Sequence, residues 1–420
     1  MTTTRSSSLR SLLTLVGGFV VFVAGLTMLA GWELPLVLGC IIVIVMVHEF
    51  GHYITAKRSG MLVTDFFVGF GPILWSTTIG ETRYGIRALL LGGYVKVPGM
   101  TWTDTIAPEL ESRTYRSATY PRKAIFASAG SFMHLVMALL LAWGSLTFIG
   151  VTQSNAPAVA GFYELPGLAQ SPAQLAGLKT GDRFISVDAQ PVTSINSVIA
   201  QSRSHANEVM TVIVRRHGQL LTLHITPIDG RHLIVNGKPL ATGSTPQGYM
   251  GIYLQDQTVP LSWYAAVPKA VQVVGSTIMA ALHAMVHVFS PGAVASLAHQ
   301  VVHPTAAQSP ASQLTRPVSI VGVVRIADQA ATSNVPAFLM ILLNLNIFVG
   351  LLNMLPMLPL DGGYVAIATY ERLRGRRQQR YQADIRKLAP FVYLFMTALG
   401  LLFVSTLWLD VVDPIRNPFH

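Results

Sequence analysis

Two histidines and a glutamate, in the pattern His48-Glu49-Phe50-Gly51-His52, carry the most specific chemistry in the sequence. On a helix, positions i and i+4 share one face, so the two imidazoles can bind a single tetrahedral metal ion such as Zn2+. Glu49 reaches a water on that ion and can serve as the base of a hydrolytic reaction. The pentad closes an apolar run that starts at residue 34, where a charged side chain costs about 3 kcal/mol on insertion-based scales. A polar helix end emerging at an interface explains the following Lys57 and Arg58, but not three such groups in helical register.

A catalytic metal site takes a third protein ligand and leaves the fourth position to water. Asp361 is the only acidic residue between Asp328 and Glu371, and it stands in Asn353-Met354-Leu355-Pro356-Met357-Leu358-Pro359-Leu360-Asp361-Gly362-Gly363. Two prolines and two glycines must interrupt a helix there, and interrupted backbone at membrane depth is tolerated only against protein or a water-filled cavity. Asp361 is the expected third ligand. Two neutral imidazoles, one carboxylate and one hydroxide also make a zinc site formally neutral, which a low-dielectric surrounding favours.

The elements that must position these residues are membrane helices. Of 420 residues, 51% are hydrophobic and only 11% charged, against roughly 25% charged in soluble proteins. Charge-free runs cover residues 12–31, 34–47 (running on into the pentad), 124–150, 335–360 and 388–409, five candidate spans against a need of about 20 apolar residues each. The first lies behind Arg5 and Arg10 and reads either as an uncleaved helix, favoured because Met28-Leu29-Ala30 is a poor cleavage site, or as a signal peptide. The formal charge of +10 sits in blocks beside the spans, which fits positive-inside topology and argues against a nucleic-acid partner. Cys40 stands alone, excluding a disulfide framework or a cysteine-based metal site.

Loop charges orient the chain. Residues 57–123 carry nine basic and five acidic residues and residues 371–387 carry seven and two, so both loops are expected in the cytoplasm. Residues 151–265 are balanced at seven and six. They contain alternating runs from Met210 to Val214 and Leu221 to Ile225, joined at Arg216-His217-Gly218, as a small soluble domain would. Residues 270–315 lack charged side chains but are broken at Ser290-Pro291 and Pro304 and punctuated by His283 and His287. They read as a segment on or dipping into the membrane surface, with a further span as the alternative. His299 and His303 repeat the histidine spacing without a glutamate and read as a polar stripe.

The expected fold is a polytopic α-helical membrane protein with an inserted extracytoplasmic mixed β/α domain. In order, it comprises an extra N-terminal transmembrane helix (1–33), the pentad-bearing helix (34–56), and a cytoplasmic loop with a membrane-associated β-hairpin (57–123). A transmembrane helix (124–150), the inserted domain (151–265) and an interfacial amphipathic segment (266–334) follow. The chain ends in the Asp361-bearing helix (335–363), a basic cytoplasmic loop (364–387), a last transmembrane helix (388–409) and an extracytoplasmic tail (410–420).

These motifs, in this order and separated by a soluble domain, resemble the site-2 protease family of intramembrane zinc metalloproteases, in particular its bacterial RseP-like branch, which cleaves anti-sigma factors. Phe67-Val68-Gly69-Phe70-Gly71-Pro72, Leu91-Gly92-Gly93-Tyr94-Val95-Lys96 and Arg316-Pro317-Val318-Ser319-Ile320 add to the likeness, and the stretch from Ser171 to Asp182 resembles a PDZ domain, one copy by length. The resemblance implies one Zn2+ per chain, Glu49 as base, and Asn353 holding substrate or stabilising the oxyanion. It implies a lipid surrounding in the bacterial inner membrane. Its expected substrate is a single-pass membrane protein, already shortened by a site-1-type protease, in regulated intramembrane proteolysis. Gly92-Gly93-Tyr94-Val95 reads either as an edge strand that pairs with substrate backbone or as an ordinary loop hairpin.

One departure stands out. Where the family has Gly-Pro-x-x-Asn, this chain has Gly130-Ser131-Phe132-Met133-His134. His134 is open to three readings: a polar contact beside the metal, a fourth ligand that would close the site, or a helix-packing histidine. A PDZ-bearing scaffold with a closed metal site is the competing non-enzymatic reading, and a transporter with an intramembrane proton relay is a third.

Overall fold

A computed structural model describes residues 17–413, apart from 19, 22, 30, 101–103, 105, 164, 166–167, 236–237, 240, 242–244, 289, 304–316 and 376–380. Arg5, Arg10, Pro304, Arg316, the start of the first expected span and residues 414–420 of the tail lie outside the described residues. The chain divides into two compact units, Met1–Ser145 with Val267–His420, and Leu146–Ala266.

In the first unit, residues 23–29 are helical and α1 follows at Glu33–Arg58. It is apolar all round, yet only one stripe is buried: Val37, Ile44, His48, Gly51, His52 and Ala56. These positions recur at helical spacing, so the face that packs on protein is the face that carries both histidines. Leu36, Val43 and Phe50 remain exposed, as a lipid-facing surface requires.

After α1, strands β1 (Asp65–Ile79) and β2 (Thr82–Lys96) form a bent hairpin. Residues 65–68 take register with both 83–86 and 93–96, so 93–96 becomes the outer strand of a small sheet. The hairpin exposes Phe70, Ile73, Leu74 and Leu89, apolar side chains suited to a membrane-associated lobe. Its turn is tied back by Glu81, which accepts from Arg113 and from Lys57 at the end of α1, both at 2.8 Å. Those two cations, Arg113 foremost, lower the Glu81 carboxyl to about 2. Helix α2 then runs over Tyr120–Phe148.

The second unit is built on a sheet of six strands. Its main strands are β3 (Val151–Phe162), β4 (Arg183–Val187), β5 (Met210–Arg216), β6 (Gln219–Ile225) and β7 (Ile252–Val259), in the order β7-β3-β4-β5-β6. Met210, Val212 and Val214 alternate inward along β5 and meet Phe184, Val187 and Ile225 in one core. That core is closed by Val198 of helix α3 (Ile195–Ser204). The β5–β6 turn has His217 and Gly218 at positive φ, the geometry of a tight hairpin.

The chain returns to the first unit through α4 (Trp263–Val288), α5 (Pro291–Val302), α6 (Ile320–Ser333), α7 (Val335–Asn353), α8 (Asp361–Arg374) and α9 (Ala389–Val412). The region expected to lie at the interface thus contains α4, an uninterrupted helix of 26 residues that is long and apolar enough to cross a membrane. Pro268 sits close to its start, and the Ser290-Pro291 break comes only after its end. Among the described residues α1, α2, α4, α7 and the helical stretch 385–412 meet that standard of length and composition. The protein is a multi-pass membrane protein with an inserted β domain. Helix α7 stops at Asn353, seven residues short of the apolar run's end at 360, because Pro356 and Pro359 force a turn before α8 restarts at Asp361. Helix α6 packs Ala327, Ala330 and Ala331 against Val37 and Ile44 of α1 and against Phe338 and Leu342 of α7.

In the inserted domain Asp182 is almost fully buried and takes two hydrogen bonds from Arg216, at 2.7 and 2.6 Å, and one from the Lys179 N–H at 2.8 Å. Burial alone would raise its pKa, but Arg216 and the Lys179 amide outweigh that and hold it below the ordinary value. A lowered folded-state pKa adds stability above the unfolded value of about 3.9, and that stability is lost as pH falls through the folded value. Asp182→Asn should therefore cost this domain about 2 kcal/mol in thermal or denaturant unfolding near neutral pH. The difference from wild type should shrink under acid; an equal deficit at all pH values would contradict the assignment.

Candidate metal centre

Helix α1 turns His48, Glu49 and His52 toward the turn between α7 and α8. The Nε2 atoms of His48 and His52 lie 3.2 Å apart, and Oδ2 of Asp361 lies 3.4 Å from the first and 3.2 Å from the second. Ligand bonds of about 2.0–2.1 Å around tetrahedral zinc require ligand atoms roughly 3.3 Å apart. The three atoms thus mark one face of a zinc tetrahedron.

The protonation pattern points the same way. His52 Nδ1 lies 2.8 Å from the Phe126 carbonyl, which can only accept, so Nδ1 carries a proton and Nε2 is the nitrogen turned to the cluster. In the neutral imidazole this nitrogen presents a lone pair toward the Asp361 oxygen and the His48 Nε2, a donor set that a cation between them would satisfy. Both histidines are buried.

Glycines permit this approach. A Cβ on Gly130 of α2 would sit 2.3 Å from His48 Cε1 and 2.5 Å from His52 Nε2, and one on Gly51 would sit 2.7 Å from the Ala129 carbonyl oxygen. The two helices therefore cross backbone to side chain at the metal end of α1. Asp361 opens α8, whose first turn tucks beneath residues 354–358; a Cβ on Gly362 or Gly363 would collide with that backbone. The far end of α8 is held by Glu371, which accepts from buried Lys123 of α2 at 2.8 Å.

A cavity of about 370 Å³ opens beside the cluster, lined by His48, Glu49, His52 and Asp361 on one side and by Tyr94, Val95 and Lys96 on the other. Its remaining wall includes Val97, Met100, Phe126, Ala127 and Tyr364. The Val95 N–H faces the Glu49 carboxylate, and a Cβ on Gly93 would lie 3.3 Å from Glu49 Cγ. Gly93 and Tyr94 are thus brought to the site. Gly92, at positive φ, packs under Phe70 instead, and Asn353 ends α7; neither lines the cavity. His134 lies outside the three-residue cluster, its ring centroid 5.0 Å from that of His48. His283, His287, His299 and His303 belong to α4 and to α5 with its cap, away from the cluster.

Sequence reasoning missed Gly130, the Phe126 carbonyl and Asn346. Gly130 is visible as a glycine, but nothing in its spacing reveals two imidazoles against its α-carbon, and a carbonyl that orients a histidine leaves no residue-type signal.

Comparison with known proteins agrees with this geometry. The profile of Peptidase family M50 matches residues 36–397. The chain belongs to the M50 peptidases, the site-2 protease family. It is similar to the zinc metalloprotease Rip1 of Mycobacterium tuberculosis, at 30% identity over 398 residues covering 90% of this chain and 96% of the relative. It is also similar to Rip1 of Mycolicibacterium smegmatis, at 28% identity over 402 residues covering 89% and 96%. As an M50 member the protein is a metalloprotease, and site-2 proteases act on membrane proteins within a lipid surrounding.

Gly130→Ala should lower metal content and peptidase activity together, by about 10- to 100-fold in metal affinity. Metal analysis of the purified protein checks this; full metal occupancy with normal cleavage would contradict the steric argument.

Proposed function

We propose that this protein is a zinc-dependent intramembrane endopeptidase in which His48, His52 and Asp361 hold one Zn2+ and Glu49 is the general base. The observation that carries the reading is the triangle of ligand atoms with edges of 3.2–3.4 Å, opening onto a cavity walled by residues 94–96. Bound Zn2+ supplies the Lewis acidity that activates water and polarises a scissile carbonyl. Glu49 takes a proton from the attacking water on its carboxylate and returns it to the leaving amine. Residues 93–96 present the outer backbone edge of the small sheet beside Glu49, and we assign them the task of pairing with an unwound substrate segment. Asn353, at the end of α7, is assigned to substrate contact or oxyanion stabilisation, with Gly92 shaping the bend that delivers the strand.

The substrate class is a single-pass membrane protein, such as an anti-sigma factor, shortened beforehand by a site-1-type protease. The inserted domain is assigned as one PDZ-like module. A groove of about 270 Å³ along α3, lined by Ile195, Ile199, Arg203, Tyr249 and Ile252, supports peptide binding there. Loop charges support an inner-membrane location with the N-terminus in the cytoplasm and the inserted domain and C-terminus outside. Asp361 meets the end of α1, so α7 ends on the side where α1 ends and α2 begins. The chain between α2 and α7 must then cross an even number of times, and α4 either stays at the interface or is paired with a return.

Glu49→Gln should keep its zinc and lose cleavage of a co-reconstituted single-pass substrate by at least about a hundredfold. His48→Ala should lose zinc as well. Unchanged cleavage by Glu49→Gln at matched protein level would refute the assignment.

A further inference from the structure

His134 is bound to a partner that the spacing of the motifs does not reveal. His134 Nδ1 and Asn346 Oδ1 are 2.6 Å apart, and Asn346 Nδ2 donates to the His134 carbonyl oxygen, also at 2.6 Å. The second bond fixes which way the Asn346 amide faces, so its oxygen must accept from an Nδ1–H on His134. Both residues are buried, His134 at 2% and Asn346 at 0% exposure. Gly350, one turn after Asn346, lets the helices close around the imidazole; a Cβ there would lie 2.8 Å from that of His134.

The pair joins the two helices on which the metal cluster depends. One face of α2 bears Phe126, whose carbonyl orients His52, then Gly130, against which both ligand imidazoles rest, then His134, whose ring lies against His48. Helix α7 bears Asn346 and ends at Asn353, just before the turn that delivers Asp361. A slip of α7 along α2 would move Asp361 relative to His48 and His52, and two short buried hydrogen bonds oppose that slip.

We infer that His134 and Asn346 are positioning residues for the metal centre: their paired hydrogen bonds set the register of α7 on α2 and so the distance of Asp361 from the two histidines. His134 does this without entering the ligand set. The inference rests on the assignment of His48, His52 and Asp361 as ligands.

The test compares five forms of the full-length protein in lipid nanodiscs: wild type, Asn346→Leu, Asn346→Gln, Leu342→Ala and His48→Ala. Leu342 is buried on the same helix against α6, so its truncation reports the effect of loosening α7 without touching the pair. Zinc affinity is measured by chelator competition, geometry by the visible spectrum of the Co2+-substituted protein, and overall stability by thermal unfolding. Asn346→Leu should weaken zinc binding about 10- to 100-fold and shift the Co2+ bands, with kcat falling and KM held. Leu342→Ala should lower the unfolding temperature while leaving affinity and spectrum within twofold of wild type. As a rescue, Asn346→Gln, which keeps both the donor and the acceptor, should recover part of the lost affinity. If Asn346→Leu keeps wild-type affinity and spectrum while His48→Ala loses zinc, the pair is packing alone and the inference is overturned. If His48→Ala binds zinc like wild type, the ligand assignment itself fails.

Discussion

Three candidate ligand atoms from segments 309 residues apart meet within 3.4 Å, and most of the first unit can be understood as what it takes to hold them there. Two imidazole nitrogens and a carboxylate oxygen packed this closely form a donor set that a divalent cation between them would satisfy. A metal bound there would tie α1 to α8 and so add to their packing as well as supply chemistry. With a divalent ion bound, one carboxylate and two neutral imidazoles would keep the total charge small where the dielectric is low.

Bringing backbone so close to imidazole demands particular small residues. Gly130 and Gly51 let α1 and α2 cross at the ligands, while Gly362 and Gly363 let α8 begin directly beneath the turn after α7. The break between α7 and α8 gives up continuous helical hydrogen bonding at membrane depth. In exchange it leaves a cavity of about 370 Å³ where water and an extended peptide can meet. The outer strand 93–96 supplies part of the opposite wall, with the Val95 N–H directed at Glu49.

The helix break, and the pentad and Asp361 as candidate ligands that the structure brings together, were legible in the sequence because ligand types, proline and glycine are local signals with strict geometric meaning. The inserted domain was legible for a similar reason, since its strands alternate in period two and its hairpin turn ends in Gly218. Gly130, Asn346 and the Phe126 carbonyl were not, because their roles arise only when α1, α2 and α7 are packed together. Helix α4 was legible only as a charge-free segment with two readings, interfacial or spanning; its 26 residues without a break show that it has the length to span. His134 was recognised as unusual, but its partner lies 212 residues away on another helix.

Zinc K-edge X-ray absorption on the full-length protein in lipid tests the central claim most directly. The account predicts a four-coordinate site of two imidazole nitrogens and two oxygens at about 2.0–2.1 Å, with two imidazoles still present in His134→Ala. A third imidazole that disappears in His134→Ala, or a zinc shell without the His48 and His52 imidazoles, would contradict it.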